Sequence, residues 1–170
     1  MKQIKLIIAL GIIAIMIASG MSSVSACYYS SPVLASKDEI LVGQVEVIHN
    51  SKYDDKMYIK YIITEEGWTM SESHLAVATS LGGIHQTKSG NPKVGKFPYK
   101  EDHPDGTTTY RYTIDLDEYD LENNNEYHGT LFIAAHAVVY NPDISKETAW
   151  ADTGQSFPGS NWALYFVITF

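Results

Sequence analysis

A chain of 170 residues with 20 acidic and 12 basic side chains, a formal charge of −8 and a hydrophobic fraction of 45% can build one domain with a substantial core. The acidic balance excludes nucleic acid and an anionic membrane face as partners, because both are recognised by a basic patch. A single cysteine excludes an intramolecular disulfide, so the core alone must hold the fold.

Residues 1–26 read as a signal peptide: Lys2 and Lys5 form a short basic region, LIIALGIIAIMIASG is an apolar stretch, and small residues follow up to Ala26. Val24-Ser25-Ala26-Cys27 is similar to the lipobox of bacterial-type lipoproteins, in which the cysteine becomes the lipidated amino terminus. Cys27 is therefore expected to be the lipidation site, with ordinary secretion as the alternative. Removal of the leader takes away two lysines and no acids, leaving 10 basic against 20 acidic side chains, a balance of −10.

Residues 27–38 are polar, contain one proline and read as a lipid-anchored or flexible tether, with the domain proper expected over 39–170. EILVGQVEVIHN (39–50) alternates, with Leu41, Gly43, Val45 and Val47 on one face. KMYIKYIIT (56–64) alternates likewise, with Met57, Ile59, Tyr61 and Ile63 on one side. SHLAVATSL (73–81) is a third strand. Residues 82–105 have no period, carry four glycines and three prolines, and form a loop of the kind that is often functional. TTTYRYTIDL (107–116) sets Tyr110, Tyr112, Ile114 and Leu116 on one face. DEYDLENNNE (117–126) is an acidic connection. GTLFIAAHAVVY (129–140) is apolar on both faces, as a strand covered on both sides would be. KETAWADTGQSFPG is read as a loop, and NWALYFVITF (161–170) as a final strand. No stretch after the leader has a sustained helical period. The pattern predicts an all-β fold: a single antiparallel β-sandwich of about six to eight strands after the signal peptide.

Chemistry is harder to find. His49, His74, His85, His103, His128 and His136 contain no HxH or HExxH pair, so their spacing gives no zinc signal. No serine elbow or phosphate loop is present, and no catalytic residue is assigned. A hydrolase built from Glu72, His74, Glu147 and Asp152 is one alternative. No cofactor is expected, calcium apart: DLDEYDLENNNE, with Asp102, Asp105, Asp143 and Asp152, offers oxygen donors without an EF-hand pattern. His136 is expected to be buried and to meet Glu147 across the short loop between them.

Aromatics at expected turns (Trp68, Phe97, Tyr99, Trp150, Phe157) offer either a sugar-stacking platform or plugs for the sandwich ends. The candidate binding or structural loop comprises Glu147, Trp150, Asp152 and Phe157, with Trp162, His136 and Tyr99 beside it. Trp150 and Trp162 are expected to cap the core end.

GNPKVGKFPY (90–99), IAAHAVV (133–139), KETAWADTGQSFPG (146–159) and NWALYF (161–166) together resemble an uncharacterised exported domain of microbial surface proteins. The resemblance covers roughly residues 40–170. It implies an all-β extracellular domain and transfers no catalytic role. The leading expectation is an exported, lipid-tethered, non-enzymatic surface protein that contacts the envelope membrane through Cys27 and a polysaccharide or surface protein through its domain. The alternative is a carbohydrate-binding module using Trp150, Phe157 or Tyr99.

Overall fold

The computed structural model describes residues 27–51, 53–123 and 126–169; the expected signal peptide lies outside the described residues. Thirteen strands form among them: β1 Cys27–Ser30, β2 Val33–Ser36, β3 Leu41–His49, β4 Lys56–Ile63, β5 Thr69–Ala78, β6 Tyr99–Asp102, β7 Thr109–Asp115, β8 Glu122–Asn123, β9 Glu126–Tyr127, β10 Thr130–Asn141, β11 Ser145–Asp152, β12 Gln155–Ser156 and β13 Leu164–Thr169. All pairings are antiparallel, and eleven of these strands belong to one sheet that folds over on itself and nearly closes into a barrel. β8 and β9 form a separate two-stranded ribbon. The predicted all-β class therefore holds.

Strand β10, 12 residues long, organises the sheet. One edge runs along β5, from Phe132 opposite Ala78 to Tyr140 opposite Thr69, and β6 lies beyond β5. The other edge is divided: Thr130–Ile133 pair with β13, and His136–Asn141 pair with β11. β11 then leaves β10 and continues beside β2, with Ala149 opposite Ser36 and Asp152 opposite Val33. From β2 the sheet goes on through β3 and β4 to β7, and β1 takes the edge of β3 past the end of β2. β11 is thus the corner strand that carries the sheet from one layer into the other.

The core between the layers follows from the alternations in sequence. Met57, Ile59, Tyr61 and Ile63 of β4 and Tyr112 and Ile114 of β7 are buried, as predicted. In β3 the pattern shifts: Val42 is fully buried and Leu41 is exposed, because a register irregularity opposite Leu34 and Ala35 reverses the inward parity. The open seam between β5 and the β4–β7 pair is bridged by the Met70 N–H, which donates to the Thr107 carbonyl at 2.7 Å, and by side chains. The Tyr112 hydroxyl donates to the Ser73 carbonyl at 3.1 Å, and the Tyr61 hydroxyl donates to the His74 carbonyl at 2.9 Å.

Three expectations change. Residues 27–38, read as a tether, carry β1 and β2, whose backbone groups pair with β3 and β11; the domain begins there and not at residue 39. The long segment 82–105, read as a structureless loop, contains β6 and two short 3-10 turns, Leu81–Gly83 and Val94–Lys96. KETAWAD, read as a loop, lies in β11. Its two central alanines gave no alternating signal, yet Ala149 and Ala151 are fully buried against neighbouring strands.

Candidate functional site

β10 is apolar on both faces because both are covered. Leu131, Ile133, Ala135, Ala137 and Val139 point into the main core. Ala134 belongs to a second apolar cluster on the outer face of the same sheet, with Ala76, Ala78 and Trp150. Two loops lie over this outer face: residues 79–98 contribute Ile84 and Phe97, and residues 153–163 contribute Phe157 and Ala163. The loops touch each other at glycines. A Cβ on Gly159 would lie 1.9 Å from Asn91 Oδ1 and 2.6 Å from the Asn91 backbone nitrogen, and Gly90, at φ +84°, abuts Pro158. The Asn91 carboxamide oxygen accepts from the Asn161 N–H at 3.0 Å. We call this pair of loops the lid.

The chemistry-bearing row of the outer face runs across four strands: Lys100 of β6, His74 of β5, His136 of β10 and Trp150 of β11 are successive cross-strand partners. Side chains in such positions share a face and touch. The two imidazoles face each other with their Nδ1 atoms 3.4 Å apart, and the Trp150 ring lies 4.8 Å from the His136 ring centre. Phe97 and Phe157 each meet Trp150 edge-on at 6.4 Å. His136 is 7% exposed. Burial, and then the neighbouring His74, push its pKa down to about 3. Burial also lowers His74, although Glu72 and Asp102 oppose the shift. Both rings are therefore neutral at physiological pH. His74 is half-buried and opens onto a shallow groove with Gly95, Lys100, Glu101 and Asp102. One row further along, Glu72 forms an ion pair with Lys146 at 3.0 Å.

The expected site residues distribute as follows. Trp150 and Phe157 are buried beneath the lid, at 4% and 3% exposure, so neither offers a ring face to a sugar. Trp68 and Phe97 are buried too, and Tyr99 packs on the main core, its hydroxyl 3.4 Å from that of Tyr119. Trp150 and Trp162 were expected at the core end; they belong instead to the outer-face cluster. Glu147 stands opposite Val139, three residues along β10 from His136 and on the strand face opposite to Trp150. His136 meets His74 and Trp150 in place of Glu147, because β10 and β11 join by a tight turn that fixes this register. Glu72 and His74 share a face, but Glu147 does not, and Asp152 lies five residues further along β11, roughly 17 Å away. The four residues of the hydrolase alternative do not converge.

Asp152 and a half-buried Trp162 instead line a second groove with Ala35, Leu41 and Leu164.

Two groupings escaped the sequence. Ser73 Oγ lies 2.8 Å from His103 Nε2 and 2.8 Å from the Tyr112 hydroxyl. This resembles a nucleophile beside its base, but Ser73 is fully buried, so no substrate reaches it; the group serves the seam between β5 and β7. Among the described residues, Asp55, Asp115 and Asp117 bring carboxylate oxygens within 4.8 Å of one another. Asp115 and Asp117 lie in the acidic stretch read for calcium, and Asp55 does not. Lys56 already pairs with Asp115 at 2.7 Å and with Asp55 at 3.0 Å, and Tyr127 donates to Asp117. The cluster is thus largely satisfied by the protein itself.

Comparison of the chain with protein-family models, with curated proteins and with solved structures finds no match.

Proposed function

We propose that the chain is an exported, lipid-tethered, non-enzymatic β-sandwich of the cell surface that acts by contact with other envelope components. The observation that carries this reading is the setting of Cys27. It follows a leader-like stretch directly, and it is also the first residue of β1, in register with His49. A lipidated Cys27 would hold the folded domain against the bilayer with no spacer, as suits a surface element. The separation of Glu72 and His74 from Glu147 and Asp152 supports a role without catalysis. The test is labelling of cells with a radioactive fatty acid, followed by membrane fractionation. The wild-type chain should carry label and sediment with membranes, and Cys27→Ser should lose both properties. A Cys27→Ser chain that stays with the membrane would overturn the tether.

A specific feature favours polysaccharide as the contacted component. The groove of Trp162, Leu41 and Asp152 combines a partly open aromatic face with a carboxylate, the pairing that stacks on a pyranose and hydrogen-bonds its hydroxyls. Trp162→Ala should abolish retention on an envelope-polysaccharide column, whereas unchanged retention would remove this reading.

A further inference from the structure

We infer that His74 and His136 form a binding site for a divalent d-block cation, zinc above all, set at the edge of the lid. The sequence hides this pair because the two residues are 62 positions apart and only the β5–β10 register makes them neighbours. The geometry is that of two imidazoles sharing one ion. Two Zn–N bonds of about 2.0–2.1 Å at a tetrahedral angle separate the nitrogens by roughly 3.3–3.4 Å, and the two Nδ1 atoms lie 3.4 Å apart.

The rings are prepared for the ion in three ways. Each strand fixes its own imidazole, and Trp150 packs on the His136 ring at 4.8 Å, so little orientation remains to be lost on binding. In the empty pair one ring donates its Nδ1–H to the other, and on binding that proton moves to the donor ring's own Nε2, which leaves both Nδ1 lone pairs for the ion with no net proton released. His74 lines the groove of Gly95, Lys100, Glu101 and Asp102, from which water can reach the pair. Around His74, Glu72 is offset by Lys146 and Asp102 by Lys100, so the groove sets no net positive charge against a cation. No third histidine or carboxylate ligand comes within 4.8 Å of both nitrogens among the described residues. The ion would therefore keep exchangeable positions open to the groove, and imidazole donors select zinc, copper or nickel over calcium or magnesium.

Titration of the purified full chain, free of any histidine tag, with zinc chloride in a calorimeter tests the site. The expected result is one equivalent bound by the wild type, with affinity lowered by at least about 10-fold in His74→Ala. His74→Gln, which keeps a hydrogen-bonding group beside His136, serves if the alanine variant does not fold, and it should lose affinity equally. Asp115→Asn should bind as the wild type does, since the acidic cluster lies elsewhere. No zinc uptake by the wild type, or uptake unchanged in both His74 variants, would overturn the site.

Discussion

Trp150→Ala tests whether the outer face of the β10 sheet is a closed core or a surface. The indole is 4% exposed and is packed by His136, Phe97 and Phe157. A buried tryptophan removes about 150–250 Å² from water, which at roughly 25 cal/mol per Å² contributes about 4–6 kcal/mol. Truncation leaves a cavity that the corner strand β11 cannot collapse, because its backbone is laddered to both β10 and β2. Losses of about 3–5 kcal/mol are usual for such changes. Against a total stability of about 5–15 kcal/mol, that brings the domain close to unfolding. With a urea slope of ~1.5 kcal/mol/M, a loss of about 4 kcal/mol lowers the denaturation midpoint by roughly 2.5 M. Circular dichroism in a urea series measures this. A midpoint lowered by less than about 0.7 M at unchanged slope would refute a dry outer face and restore Trp150 as a binding surface.

Two further outcomes follow from the same face. The pKa of His136 falls from 6.5 to about 3 on folding. As pH drops below 6.5 the unfolded chain takes up a proton that the folded chain refuses, so stability falls by up to about 1.4 kcal/mol per pH unit in that window, with no effect above it. Urea melts between about pH 7 and pH 5 should show a shallower decline in His136→Leu than in the wild type; equal slopes would contradict the buried neutral ring. Gly159→Ala places a Cβ 2.6 Å from the Asn91 backbone nitrogen. It should part the two lid loops at a loss of about 1–3 kcal/mol and speed tryptic cleavage at Lys88, Lys93 and Lys96; unchanged cleavage would show that this contact does not hold the lid.

Strands with one wet face were legible. β4 and β7 announce themselves because Met57, Ile59, Tyr61 and Tyr112, Ile114 alternate with polar residues, and those residues are the buried ones. β11 was not legible, since Ala149 and Ala151 carry little hydrophobic signal and Trp150, on the opposite face, is buried as well. Period-two reasoning fails wherever both faces are covered. The lid motifs were visible as sequence but not as structure. Asn91, Pro158 and Gly159 matter through a contact between loops some 70 residues apart, and no local pattern encodes it. The histidine pair was missed for the same reason: ligand-spacing rules search along the chain, and His74 and His136 meet across it. The one available signal was a histidine in each of two apolar strands, and it did not say that they face each other.

What the pair does in the fold argues that it is more than packing. In the adjoining row of the same two strands, Ala76 opposes Ala134, and both are buried at no polar cost. Replacing such a row by two imidazoles removes polar groups from water and leaves one hydrogen bond between them to offset it. Apolar residues of similar size would fill the space beside Trp150 with greater stability, as they do for other buried polar pairs. The position adds a second reason. His136 lies under the lid, whereas His74 reaches the groove at its rim, so the pair connects a dry, rigid interior to water. A purely structural hydrogen bond has no use for that opening. A ligand that must enter from solvent and then be held by fixed nitrogens requires both the rigid side and the open one.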